Sequence, residues 1–211
     1  MEVRNVCLRS DGLELAGELY IPQKDKPCPA LCICHGIPAV PYNPEDKGYA
    51  TLAQRFCAVG FATLIFNFRG AGRSQGNFDI LGWSRDLQVV LDFLYDFKEI
   101  DKTRLCLLGF SGGAAVSVYT TAHDPRVSLL AACACPADFS SLGRNEMALP
   151  SIQHFREIGV IRDKDFPPSL EEWLAGFETI SPIRWIDKVS PSCWQCDDRE
   201  NNEVVPLEHV H

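Results

Sequence analysis

The chain has 211 residues, of which 46% are hydrophobic and 23% charged, and these values are ordinary for a single soluble globular domain. Its formal net charge of -8 excludes a nucleic-acid-binding function, because no basic block offsets the acidic balance. No segment approaches the roughly 18 uncharged apolar residues of a membrane span, and the polar start Met1–Asn5 lacks the apolar core of a signal peptide. We therefore expect a cytoplasmic protein with no membrane partner.

The ten cysteines do not predict a disulfide framework or a metal site. Several of them, Cys32 and Cys106 among them, lie inside apolar runs, where a reduced cysteine behaves as a small buried hydrophobe. The pair Cys193 and Cys196 matches C-x-x-C, but no second pair follows to complete a zinc site. We expect no metal and no cofactor.

Apolar runs alternate with helical patterns along the chain, beginning with two strands that the turn at Ser10–Gly12 can join as a hairpin. The predicted strands are Glu2–Arg9, Leu13–Ile21, Ala30–Cys34, Phe61–Phe66, Leu105–Leu108 and Val127–Cys135. Apolar residues recur at three and four positions in the predicted helices, which are Tyr49–Val59, Leu81–Phe97 and Ala114–His123. This alternation predicts an α/β fold with a mostly parallel sheet and helices on both faces.

Ser111 lies where a buried strand is predicted to turn into a helix. With Gly109 and Gly113 it forms the pattern G-x-S-x-G, in which the serine takes a strained backbone conformation that exposes its hydroxyl. Its neighbours two residues away must be small so that the helix can pack against the strand. Ser111 is therefore the candidate nucleophile.

Three landmarks resemble the α/β-hydrolase fold, and within it the small dienelactone-hydrolase-like and serine-aminopeptidase-like hydrolases. They are the segments Cys34–Pro38 and Phe66–Gly76, each after an apolar strand, and the turn at Ser111. The resemblance extends from about Gly12 to Pro191, and weakly over Val204–His209. It implies a serine hydrolase that cleaves a small ester, thioester or peptide-like acyl bond through an acyl-enzyme on Ser111.

The resemblance also implies an oxyanion hole made by the backbone N–H groups of Ile37 and Gly112. Two fixed donors of this kind stabilise the negative charge of the tetrahedral intermediate in acyl transfer. His35, just before this wall, is expected to be structural rather than a catalytic base. Arg69 is expected to anchor the loop after its strand, and a structural role for Arg69 and Arg73 is favoured over substrate binding.

Residues 139–187, which we name the cap segment, interrupt the alternation of strands and helices. In the resembling hydrolases an insertion after this strand forms a small cap over the serine. Its aromatic residues are expected either to line an acyl pocket or to attach the cap to the domain. We thus predict one domain, 1–211, with the cap segment as an insertion.

The remaining triad members are not evident in the sequence. The family position of the acid falls nearest Asn202, between Glu200 and Glu203, and Asp138 matches an alternative acid position. His209 and His211 fall where the resemblance puts the start of a further helix, so we expect the last strand and helix of the fold, and the catalytic histidine, to be missing from a truncated chain. The alternatives are a non-catalytic binding protein on a hydrolase scaffold and a poorly folding fragment.

Overall fold

The computed structural model describes residues 1–23, 27–140, 145–189 and 193–196, the backbone alone being described at 145–147 and 193–196. The described residues contribute seven strands to one sheet. They are β1 (Glu2–Ser10), β2 (Leu13–Ile21), β3 (Cys28–Cys34), β4 (Ala62–Phe66), β5 (Ile100–Phe110), β6 (Val127–Cys133) and β7 (Cys193–Cys196).

The strands lie in the order β1-β2-β4-β3-β5-β6-β7, and only the first three are joined by antiparallel pairing. Asp11 and Gly12 form the predicted β1–β2 turn with positive φ angles of 50° and 81°. From β4 to β7 every neighbouring pair is parallel. The predicted mostly parallel sheet is therefore confirmed.

Helices cover both faces of this sheet. Leu87 and Leu91 of one helix and Ala115 and Val118 of another belong to the larger core cluster, whereas Ala53 lies in a separate cluster on the opposite face. The helices are α1 (Gly48–Ala58), α2 (Ile80–Asp96), α3 (Gly112–His123), α4 (Asn145–Glu157) and α5 (Leu170–Ile180), followed by two short 3-10 helices at Pro182–Arg184 and Ile186–Lys188.

Several boundaries differ from the sequence prediction, and the differences in β5, α3 and β6 concern the elements around Ser111. β5 begins at Ile100 rather than Leu105, because the polar residues before Leu105 continue the strand although most of them are exposed. Helix α3 begins at Gly112, directly after the serine, and β6 ends at Cys133 rather than at Cys135.

Buried aromatic side chains attach the cap segment to the rest of the domain. Trp173 and Phe177 of α5 contact the ring of Phe78, and the indole N–H of Trp173 donates to the Phe78 carbonyl at 3.0 Å. Phe155 of α4 contacts the same ring, with centroids 4.8 Å apart. Of the two roles expected for these aromatics, the structure places Phe155, Trp173 and Phe177 in attachment.

A second attachment is polar and uses Arg162. Its guanidinium donates to the carbonyls of Gly70, Gly72 and Ser74 at 3.2, 2.9 and 2.6 Å. The side-chain oxygen of Asn77 accepts the backbone N–H of Arg162 at 2.7 Å. The cap segment is thus bonded to the loop that follows β4. No helix within the described ranges is long and apolar enough to span a bilayer.

Candidate active site

Ser111 occupies the turn between β5 and α3, at the carboxyl edge of the parallel strands. Its backbone has φ 49° and ψ -122°, a conformation that costs a non-glycine residue roughly 1–3 kcal/mol. The surroundings hold it there, because its N–H donates to the Cys133 carbonyl at 2.9 Å and its carbonyl accepts the Ala114 N–H at 2.9 Å. Its side chain makes no capping bond to α3. The hydroxyl is therefore presented beside the positive end of a helix.

The two glycines of the pattern are required by close approach. A Cβ atom on Gly109 would lie 2.5 Å from the Cα of Ala114. On Gly113 it would lie 2.6 Å from the Cys34 carbonyl oxygen and would also overlap the His35 carbonyl oxygen. Helix α3 therefore packs onto β3 and β5 at distances that admit no side chain at either position.

The structure brings Ile37 and Gly112 to the same side of Ser111. The position of a Cβ on Gly112 lies 3.5 Å from the Ile37 nitrogen, and that of a Cβ on Gly36 lies 3.1 Å from the Ser111 Cβ. The end of β3 thus lies directly against the turn that carries Ser111. This proximity is what an oxyanion hole built from the two N–H groups requires.

Apolar rings lie next to this group. The ring of Tyr49, the second residue of α1, lies 5.8 Å from that of Phe110 and 6.4 Å from that of His35. Tyr49 is 39% exposed, so it forms part of the accessible rim beside Ser111. Burial of the phenol raises the pKa of Tyr49, which is therefore neutral at physiological pH. The sequence pattern predicts only that Tyr49 begins a helix, because no motif marks it as a residue of the site.

Both ring nitrogens of His35 are hydrogen-bonded. Its Nε2 accepts the Phe68 N–H at 3.1 Å, which leaves the proton on Nδ1, and Nδ1 donates to the Gly36 carbonyl at 2.7 Å. Burial lowers the pKa of His35. A histidine with both nitrogens engaged cannot take the Ser111 proton without losing one of these bonds.

Two other histidines have described side chains. His123 ends α3, twelve residues or about 18 Å along the helix axis from Ser111, and its ring packs on Trp185. His154 is exposed on α4 beside Phe155. Among the described side chains no hydrogen bond joins a histidine to the Ser111 hydroxyl. His209 and His211 lie outside the described residues.

Of the positions considered for the acid, Asp138 lies among the described residues. Asp138 follows β6 at the carboxyl edge and accepts the Ser140 N–H at 2.9 Å, which is a turn contact. Glu200, Asn202 and Glu203 lie outside the described residues. The described part of the chain holds no group of three His, Cys, Asp or Glu side chains that could bind a metal ion.

Arg69 is a structural anchor, in the role favoured by the sequence. It is only 5% exposed, and its guanidinium bonds to Asp86 with a shortest distance of 2.6 Å. Asp86 is fully buried and also accepts the Arg69 backbone N–H at 2.9 Å. Asp11 provides a third contact at 2.8 Å. Arg73, by contrast, is exposed and reaches Glu18 at 3.4 Å.

Sequence analysis missed Asp86, although one signal was available. The residue lies three positions after Trp83 and four before Val90, on the face of α2 that is otherwise apolar. A lone carboxylate on such a face indicates a buried cationic partner, because an unpaired buried charge is too costly.

The sequence matches the family model described as X-Pro dipeptidyl-peptidase (S15 family) over residues 11–166, well over half of the chain. The chain belongs to the S15 family. This is a family of hydrolases, and the matched residues include β3, the loop after β4 and the turn at Ser111.

Two curated proteins are similar to this S15 member over part of their length. The quorum-quenching protein AidA of Acinetobacter baumannii is 26% identical over 166 residues, which cover 76% of this chain and 52% of that protein. The thiohydrolase apmlB of Arthrinium phaeospermum is 33% identical over 132 residues, covering 60% of this chain and 40% of that one. The chain thus spans about half the length of the curated relatives it matches.

A solved structure shows the same fold. The α/β-hydrolase GrgF from Penicillium sp. sh18 superposes with a TM-score of 0.69 at 19% identity, covering 92% of this chain and 79% of that one. The α/β-hydrolase fold predicted from the sequence is confirmed.

Proposed function

We propose that this S15 member is a serine hydrolase that cleaves a small ester, thioester or peptide-like acyl bond through an acyl-enzyme on Ser111. The observation that carries the proposal is the turn itself. Ser111 is held at positive φ beside the start of α3, with the Ile37 nitrogen next to Gly112. Few structural requirements other than presenting a nucleophile explain a strained serine at this point.

The reaction has two stages. The Ser111 hydroxyl oxygen adds to the acyl carbonyl carbon while its proton passes to a base, and the N–H groups of Ile37 and Gly112 stabilise the anionic oxygen. The bond to the leaving group then breaks, and that group takes up the proton. Water attacks the acyl-serine, releases the acid and restores the hydroxyl.

The environment of Ser111 supports an acyl group without charge. The Ile37 side chain lies against Gly112, Tyr49 contacts Phe110 next to Ser111, and the Tyr49 phenol is neutral. A thioester or ester is favoured over a peptide by the 33% identity to a thiohydrolase. The family name brings the X-Pro peptide bond into the same set of candidate substrates.

The test is intact-protein mass spectrometry after treatment with a fluorophosphonate. We expect a single adduct on the wild-type chain that disappears in Ser111→Ala. Ser140→Ala is the matched control, because Ser140 is an exposed serine after the neighbouring strand and should leave the adduct unchanged. An adduct that persists in Ser111→Ala would contradict the proposal.

Turnover is then measured on an aryl acetate, an acyl thioester and an X-Pro anilide. We expect the thioester or ester to be cleaved faster than the anilide, with all cleavage lost in Ser111→Ala. Cleavage of the anilide alone would contradict the preference for esters and thioesters while leaving the nucleophile assigned.

One observation favours a second candidate, a binding protein that keeps the hydrolase scaffold. Both nitrogens of His35 are engaged, and His123 lies at the far end of α3. A serine without a base loses most of its rate, on the order of a millionfold in a disabled triad. A folded chain with no adduct that nevertheless binds an uncleaved acyl ligand would favour this alternative.

A further inference from the structure

The Gly36 carbonyl and the Ile37 N–H belong to one peptide unit. That unit is planar and trans, so its carbonyl and its N–H point in opposite directions. The carbonyl is fixed by the Nδ1–H of His35 at 2.7 Å. Holding the carbonyl toward the imidazole therefore also fixes the direction of the Ile37 N–H on the other side of the unit.

We propose that His35 is the positioning residue of the oxyanion hole, because its bond to the Gly36 carbonyl sets the orientation of the Ile37 N–H beside Ser111. This inference rests on the proposed function. It gives His35 a role in the reaction without contact to substrate and without proton transfer.

The imidazole can perform this role because it has no rotational freedom. Its Nε2 accepts the Phe68 N–H at 3.1 Å, and its ring meets those of Phe68 and Trp83 edge-on at 5.2 Å each. Bonds at both nitrogens define one tautomer and one ring orientation. A ring flip would leave the Phe68 N–H and the Gly36 carbonyl without their partners.

The groups behind His35 are fixed in turn. Trp83 stacks on Phe68 with centroids 4.3 Å apart, and its indole N–H donates to the Arg69 carbonyl at 3.0 Å. The backbone N–H of Arg69 donates to the buried carboxylate of Asp86 at 2.9 Å. The contacts therefore continue from helix α2 through the loop after β4 to the peptide that contains Ile37.

The test compares the rate of fluorophosphonate labelling of Ser111 in the wild-type full chain with the rate in three variants. His35→Phe keeps a ring in the packing space but has no donor, and we expect labelling to slow by about 10²-fold. His35→Asn keeps an amide N–H near the position of Nδ1, and we expect it to recover most of that loss. Arg126→Ala, which removes an ionic contact at the opposite end of the sheet, should label at the wild-type rate.

A loss of stability alone would not distinguish the two His35 variants. The difference between their labelling rates is therefore the decisive measurement. Labelling of a folded His35→Phe variant at the wild-type rate would overturn the inference. If His35→Phe does not fold, the same decision rests on His35→Asn compared with His35→Ala.

Nitrogen NMR of the wild-type imidazole is a second measurement that does not depend on the reactivity of Ser111. The inference requires the neutral Nδ1–H tautomer, together with an Ile37 amide resonance that moves further in His35→Phe than in His35→Asn and stays in place in Arg126→Ala. An Nε2–H tautomer, an imidazolium at neutral pH or an unmoved Ile37 resonance would overturn it. Absence of any Ser111 adduct with these NMR signatures present would instead reject the proposed function alone.

Discussion

Two arginine–aspartate networks hold helix α2, one at each end of the sheet, and they differ in burial. At the carboxyl end, Arg69 and Asp86 are 5% and 0% exposed. At the amino end, just before β6, Arg126 bonds to Asp124 at 2.6 Å and to the exposed Asp92 at 2.7 Å. The Arg126 side chain is 24% exposed.

The difference in burial shows at which end of the molecule polar bonds determine how the elements are arranged. A buried pair contributes little net stability compared with apolar residues, but breaking it is costly, so it enforces one arrangement of the elements it joins. A pair in contact with solvent is screened and tolerates loss of a partner. The buried Arg69–Asp86 network lies at the end that contains Ser111, where the proposed reaction depends on the orientation of a few N–H groups.

The largest effect is expected from Asp86→Asn, which removes the charge that compensates buried Arg69. We expect a loss of about 3–5 kcal/mol in the free energy of unfolding, measured by chemical denaturation. Asp92→Asn, on the same helix but exposed, is the matched control and should change this free energy by less than about 0.5 kcal/mol. A loss below about 1 kcal/mol in Asp86→Asn would remove the contrast between the two ends.

Gly113→Ala tests the close packing at the carboxyl end. Its Cβ would be 2.6 Å from the Cys34 carbonyl oxygen, so α3 must move away from β3. We expect a loss of about 1–3 kcal/mol in the free energy of unfolding and slower labelling of Ser111. Gly48→Ala is the control, because the nearest atom there is the flexible Asp46 carboxylate at 3.2 Å. Equal stability of the two variants would contradict the packing argument.

His35, at the carboxyl end, should make the free energy of unfolding depend on pH. Burial lowers its pKa in the folded chain, so below the usual histidine value of about 6.5 the unfolded chain binds a proton that the folded chain does not. This contribution to stability is complete above that pH and is lost as the pH falls through the folded-state pKa, with a slope of up to about 1.4 kcal/mol per pH unit. The free energies of unfolding of wild type and His35→Asn, measured by chemical denaturation at several pH values, should therefore become more similar as the pH falls. A constant difference between them would contradict the assignment.

The smallest effect is expected at the amino end. Arg126→Ala should lower the free energy of unfolding by about 1 kcal/mol or less, because Asp124, although only 5% exposed, keeps the Gln88 side chain at 2.9 Å and the backbone N–H of residue 126 at 3.0 Å as donors. The effect should shrink at high salt, as for any partly exposed pair. Denaturation at two salt concentrations measures it, and a loss as large as that of Asp86→Asn would mean that burial does not separate the two networks.

The elements of the fold were predictable because their signals are local. The apolar run Leu105–Leu108 and the glycines around Ser111 indicate a strand, a turn and a helix without reference to the rest of the chain. The pair Arg69–Asp86 was not predictable in this way, because it joins a loop to a helix 17 positions further on and depends on how the two pack.

The candidate site shows the same division between local and tertiary information. Ser111 and the position of Ile37 follow from short motifs, and the structure places them together. The hydrogen bonds of His35 and the location of Tyr49 on the rim depend on which residues of α1, α2 and the loop after β4 approach the end of β3. A single sequence contains no separate signal for such approaches.

The contacts of Arg162 restrict how the surface over the sheet can change shape. Three carbonyls of the loop after β4 share one guanidinium, and Asn77 accepts the backbone N–H of the same residue. Displacing this part of the cap segment alone would break these four hydrogen bonds and also the bond from the Asp163 N–H to Asn77, whereas displacing it together with the loop would break none of them. The two segments therefore constitute one mechanical unit, and a spectroscopic probe at the exposed position of Arg73 would report movement at Arg162 without touching the cap segment.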